Sequence, residues 1–226
     1  MERTGRYATC WVLHEDGIPC VVWFEDAVAH YGVPTVVFDL HLLVEDIDTA
    51  AQALRNHGWE TAADRANDQY IFFSEKDAKP HHRLVWPEPP NHTGYPNTRT
   101  FLFNTTDWCF PAEYLDRSTS PTFPPQLPKL VDALIDSVLD VKGGSMTYDH
   151  VAVMLGYLYG YVSEMKKASF ADRLTYEHRQ FHYDILTIDR FTLKFVAHER
   201  TVRQQFRDGT GVLHYDPWNN DRENLA

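Results

Sequence analysis

The sequence predicts an α+β protein with a sheet-bearing N-terminal half and a helical C-terminal half. Three observations predict it. Before residue 117, short runs of β-branched and aromatic residues alternate with turn residues. After residue 118, apolar residues recur at helical spacing over two long stretches. Between them, residues 118–128 are rich in Pro, Ser and Thr and read as a connector. The expected organisation is an α/β domain over residues 1–117 and a mainly helical region over 118–226 packed on it.

Each element has its own signal. Residues 11–13 and 19–24 read as short extended segments. Residues 25–31 read as a short helix, with Glu25 and Asp26 in the first turn, where negative charge suits the helix dipole. Gly32 and Pro34 stop it. Residues 36–44, Val-Val-Phe-Asp-Leu-His-Leu-Leu-Val, read as a strand buried on both faces. The acidic turn 45–48 can cap a helix over 49–57, which Gly58 ends. Residues 69–74, 82–86 and 99–104 are further strand candidates, and 87–96 is a Pro-, Asn- and Gly-rich loop. Leu127, Leu130, Val131, Leu134, Ile135, Val138 and Leu139 define one amphipathic helix, stopped by Gly143-Gly144. A second runs over 148–167, and 174–206 reads as mainly helical, with 185–195 open to an extended reading as well. The polar tail from Gly209 reads as loose, Trp218 excepted.

Composition restricts the function. The formal net charge is −11, so the chain does not attract a phosphate backbone as a whole, and Lys166-Lys167 is its only conspicuous basic pair. Nucleic acid is not an expected partner. The three cysteines, Cys10, Cys20 and Cys109, are too few and too oddly spaced for a disulfide framework and read as free thiols. With no signal-peptide core and no apolar run long enough to span a bilayer, the expectation is a cytoplasmic protein without a membrane partner.

One constellation suggests chemistry. Asp39 and His41 are two apart on the apolar run, and period-2 geometry turns both to one face. An ionised Asp buried there needs a partner, which the sequence leaves open among His41, a metal ion and a backbone donor.

The surrounding residues 23–44, with the Tyr31-Gly32-Val33-Pro34-Thr35 bend and the strand carrying Asp39 and His41, resemble the core of nucleotidyltransferase-fold proteins, most of all the branch that includes AbiEii-type toxins. The layout is also similar to uncharacterised fungal proteins with a helical C-terminal half. The resemblance is strong over residues 18–60 and weak to about residue 110. It implies a nucleotidyltransferase-like mixed sheet with flanking helices. It also implies transferase activity on a small-molecule substrate, a nucleotide, and a divalent metal held by an Asp-x-Asp pair. Asp39 falls on the first carboxylate position and His41 on the second, which makes them the candidate catalytic and metal-holding residues.

The chain departs from the pattern at three places. Trp23-Phe24-Glu25-Asp26 stands where the family keeps small residues that admit phosphate to the backbone amides. His41 replaces a carboxylate, a poor ligand for Mg²⁺ but a good one for transition metals. The later strand offers His81, His82 and Arg83 instead of a third carboxylate. Two arrangements would repair the site. Asp39, His41 and either His81 or His82 would hold a transition metal. Alternatively, Glu25, Asp26 and Asp39 would converge while Arg83 positions an anionic substrate. Trp86 is a further substrate-binding candidate, in an aromatic set with Tyr95, Trp108 and Phe110. His178 and His182 are spaced i, i+4, but Glu177 and Arg179 mark them as part of a solvated face. The expected activity is therefore a degraded or repurposed transferase, or a pseudoenzyme serving as a binding or regulatory module.

Overall fold

The computed structural model describes residues 5–63, 81–87, 98–119, 121–141, 143–188 and 191–214. They gather in two compact units, one within residues 1–30 and 34–125, the other within 31–33 and 126–226. The expected strand 69–74, most of the loop 87–96, Tyr95 and Trp218 lie outside the described residues. No helix among the described residues is long and apolar enough to cross a membrane.

The first unit opens with helix α1 (Ala8–Glu15), which buries Thr9, Cys10, Val12 and Leu13. This corrects the extended reading of residues 11–13. A short apolar run has no period of its own, and here packing decides: Thr9 Oγ1 lies 3.0 Å from Thr100 Oγ1 on the sheet. Strand β1 (Cys20–Val22) and helix α2 (Glu25–His30) follow as expected. Strand β2 (Leu40–Val44) is shorter than the apolar run. Its ladder begins where Leu40 faces Thr100. Val36 and Phe38, 65% and 68% exposed, lie ahead of that pairing and outside the core.

Helix α3 (Ile47–Asn56) is capped by Asp46, whose side chain accepts from Asp48 N at 2.9 Å and Thr49 N at 3.1 Å. Strands β3 (Glu60–Thr61), β4 (His81–Val85) and β5 (Thr100–Asn104) complete a mixed sheet in the order β1-β2-β5-β4-β3. Among the described residues, β2 and β5 pair in parallel and the other pairs are antiparallel. One face carries Leu40, Leu42, Thr100, Leu102 and Leu84, on the side of α1 and α3. The other carries His41, Leu43, Phe101, Phe103, His81 and Arg83. Phe24 and Trp108 cover this second face, with ring centroids 5.4 Å from His41 and 5.6 Å from Phe103 respectively.

The second unit is helical, so the α+β class holds. Helix α4 (Leu127–Asp140) starts with Pro128 in its first turn, where the missing N–H costs nothing, and buries the expected stripe. Helix α5 (Met146–Tyr161) is capped by Ser145 and ends earlier than its apolar pattern, because Val162 turns extended and 3₁₀ turns follow over Ser163–Lys166 and Ala168–Arg173. The stretch 174–206 is not one helix: a 3₁₀ turn (Tyr176–His178) leads into α6 (Arg179–Ile185), and Thr192 caps a separate α7 (Leu193–Arg207). Arg200 of α7 donates to the free carbonyls at the end of α4, Leu139 O and Val141 O, each at 2.5 Å. Residues 209–214 are not loose. Thr210 N and Gly211 N both donate to Gln205 O at 2.9 Å, and a Cβ on Gly211 would meet the Phe206 ring at 2.6 Å.

Candidate functional site

Asp39 immediately precedes β2 and Arg99 immediately precedes β5, so the parallel pairing of Leu40 with Thr100 sets the two side by side. Arg99 Nη2 and Nε donate to Asp39 Oδ2 at 2.6 and 3.1 Å, and Arg99 N donates to Oδ1 at 3.2 Å. Both residues are buried, at 2% and 5% exposure. The guanidinium also lies 5.4 Å from the Phe101 ring centroid. The partner that a buried Asp39 requires is therefore an arginine.

A second pair adjoins it. Asp26, in the first turn of α2, accepts from Arg6 Nε and Nη2, both at 2.6 Å, and from Tyr7 OH at 3.1 Å. Arg6 also donates to Phe38 O at 2.8 Å and Asp39 O at 3.0 Å, and so ties α2 to the chain entering β2. Burial and the Asp26 charge push the Tyr7 phenol up to about 12. Burial opposes the Arg6 charge, but the Asp26 contact outweighs it and holds the guanidinium above its ordinary value.

His41 completes the group. Its Nδ1 lies 3.5 Å from Glu25 Oε2. The imidazole stacks over Phe103, with centroids 6.0 Å apart, and meets Phe24 edge-on. Phe24 has φ +52°, the left-handed region that glycine favours. The turn thus keeps a glycine-like backbone while carrying a large ring in the core. Across the sheet, His41, Phe101 and Arg83 form one row.

The structure brings Glu25, Asp26, Asp39 and His41 together and places Arg83 on the His41 face. Trp86 is elsewhere, packed edge-on against Trp59 at 4.6 Å and over Gly58. His82 turns to the opposite face, to Asp48 at 2.7 Å, while His81 stacks on Phe101. Trp108 and Phe110 are core residues, at 0% and 1% exposure. Arg6 and Arg99 were not picked out from the sequence. The available signal was the need of buried carboxylates for cations, together with an Arg standing directly before a strand.

This donor set does not fit a pair of divalent metal ions. The carboxylates of Asp39 and Asp26 already accept guanidinium donors, and an imidazole stands at the second ligand position. Among the described residues, two other groups come within metal-holding reach: Asp136, Glu177 and His178, and Asp184, His198 and Glu199, both in the second unit.

The first of these groups is already neutralised. His178 Nδ1 meets Asp132 at 2.8 Å and Nε2 meets Asp136 at 3.1 Å. Arg203 and Arg207 reach Asp136 at 2.5 and 3.2 Å, and Arg207 reaches Glu177 at 2.7 Å. Burial opposes the His178 charge, but the hydrogen bonds to Asp132 and Asp136 prevail and raise it to about 9. His182 lies between Tyr159 OH and Lys167 O, each at 2.9 Å. The carbonyl requires Nε2 to donate, so the neutral ring accepts from the tyrosine at Nδ1, and burial lowers it to about 4. Both histidines are buried, 1% and 0% exposed, which corrects the expected solvated face. Charged neighbours at 177 and 179 misled because they pair internally.

No family model matches the chain, and no curated protein matches it. A solved structure, that of a provisionally assigned nucleotidyltransferase from H. pylori, is similar over 89% of this chain and 91% of that chain, with 10% sequence identity and a TM-score of 0.40. That likeness is too low to argue from.

Proposed function

We propose that the chain is a ligand-binding or regulatory module on a nucleotidyltransferase-like scaffold, and that it does not perform two-metal nucleotidyl transfer. One observation carries this reading: the carboxylate at the first metal position, Asp39, is bonded to the buried Arg99 at 2.6 Å. Removing metals from a site leaves uncompensated carboxylates, and here arginines take that role. The Arg6–Asp26 pair supports the same reading. The scaffold and its AbiEii-like branch rest on the motif at residues 23–44. Phe24 and Trp108 cover the His41 end of the sheet face, so its β4 end, where Arg83 is partly exposed, is the proposed ligand side.

Thermal unfolding with ATP, GTP, CTP or UTP, with and without Mg²⁺ or Mn²⁺, tests this. A ligand specific for the native state must raise Tm. The expected result is that any nucleotide-induced rise persists in EDTA and weakens in Arg83→Ala. A rise that requires Mg²⁺ and disappears in Asp39→Asn would overturn the proposal.

The Glu25–His41 pair favours a second reading, acid–base chemistry on a small molecule. Turnover of any substrate by that route must be lost in both Glu25→Gln and His41→Gln, and persistence in either excludes it.

A further inference from the structure

We propose that Asp184, His198 and Glu199 form a binding site for a single divalent transition-metal ion of the zinc class. Asp184 stands near the end of α6, and His198 and Glu199 lie on α7. One ligand atom from each comes within 4.8 Å of the other two. Two carboxylates and an imidazole supply mixed oxygen and nitrogen donors, which suit zinc-class ions better than Mg²⁺. With both carboxylates ionised, as ligands to a metal must be, the set carries two negative charges against a divalent cation.

Glu199 points to a ligand independently of the clustering. Its side chain is buried, at 1% exposure, and its Oε1 has no hydrogen-bond partner. That oxygen faces His198 Nε2 at 4.0 Å. A buried carboxylate oxygen without a donor is costly. Among the described residues, neither Asp184 nor Glu199 has an arginine or lysine partner. The contrast with Asp136 is direct, because two arginines already occupy that carboxylate.

The surroundings suit the role. Gln180 Nε2 donates to Asp184 Oδ1 at 2.7 Å and orients that carboxylate. His198 is 68% exposed at its side chain, so it is free to close the remaining gap. Asp184 and His198 line a cleft of about 530 Å³ that Gln205, Phe206, Val212 and His214 also line, and Glu199 is buried beside them. Open coordination positions there would face solvent. A bound ion would join α6 to α7.

Isothermal titration of the full chain with Zn²⁺ tests the proposal, with Mg²⁺ as the comparison and Co²⁺ absorption as the spectroscopic readout. The expected result is one tight Zn²⁺ per chain, Mg²⁺ binding at least tenfold weaker, and Co²⁺ bands of a mixed oxygen–nitrogen site. Because His198 is exposed, His198→Ala should keep the metal-free Tm and lose at least tenfold in Zn²⁺ affinity. Glu199→Gln, which keeps the side-chain volume, should lose affinity as well. Absence of Zn²⁺ binding, or wild-type affinity in either variant, overturns the proposal. Wild-type Zn²⁺ binding in Asp39→Asn is expected, which separates this site from the region around β2.

Discussion

Arg99 grips the Asp39 carboxylate from sixty positions along the chain, and the register of β2 against β5 makes the meeting unavoidable. Both groups are out of water, so each is the other's main compensation. Losing either partner leaves a buried charge, at a cost of roughly 3–5 kcal/mol. Arg99→Ala and Asp39→Ala should each destabilise the first unit by about that much. The double variant Asp39→Leu/Arg99→Met should recover most of the loss. Urea unfolding followed by the buried Trp23 and Trp108 reports on this unit. Wild-type stability in either single variant would remove the pair from the account.

Phe24 sets two effects against each other. Its left-handed backbone costs about 1–2 kcal/mol in a residue with a Cβ, and glycine would remove that cost. Its ring is buried against Trp108, with centroids 4.8 Å apart, and deleting such a ring costs about 3–5 kcal/mol. Phe24→Gly should therefore be net destabilising by roughly 1–4 kcal/mol. Denaturant unfolding measures it, and a stabilised variant would mean that backbone strain outweighs packing at this turn.

His178 makes the second unit sensitive to alkali. Its folded value is raised to about 9 from an ordinary 6.5, so the folded state holds the proton more tightly. The associated stabilisation is complete below pH 6.5 and is lost as pH rises through 9. Its full size is roughly 3 kcal/mol. Between pH 6.5 and 9.5 the wild type should lose more stability than His178→Gln does. Parallel pH–stability curves would exclude the protonated histidine.

Arg200 satisfies two carbonyls that the end of α4 leaves open. Arg200→Ala should cost about 1.5–3 kcal/mol, the worth of hydrogen bonds from a charged donor. Arg200→Lys should recover only part of it, because a single ammonium lacks the fork that spans Leu139 O and Val141 O. Hydrogen exchange at the last turn of α4 provides a local check.

Much of this architecture was legible in the chain. The α4 stripe, the Asp46 cap and the β2 apolar run each follow from local periodicity and capping chemistry. Residues 11–13 were not legible, because a short apolar run adopts whichever form its neighbours pack. The limits of β2 depended on its partner's register, which no local signal contains. The candidate site was half visible. Asp39 and His41 stand out as polar groups in an apolar run, and Glu25 and Asp26 as a first-turn pair. Arg6 and Arg99 did not, since their roles come from long-range pairing. The same reason hid the burial of His178 and the convergence of Asp184 with His198 and Glu199.

The left-handed turn at Phe24 makes the neighbouring positions interdependent for anyone redesigning this sheet. Replacing His41 with a carboxylate removes the imidazole beside Glu25 and sets two acids against each other. Opening the turn with glycine empties the space between His41, Phe103 and Trp108. Freeing Asp39 requires moving Arg99 out of the interior. Single substitutions toward a metal-binding sheet each cross a stability barrier, so only concerted exchange at 24, 41 and 99 gives a passable route.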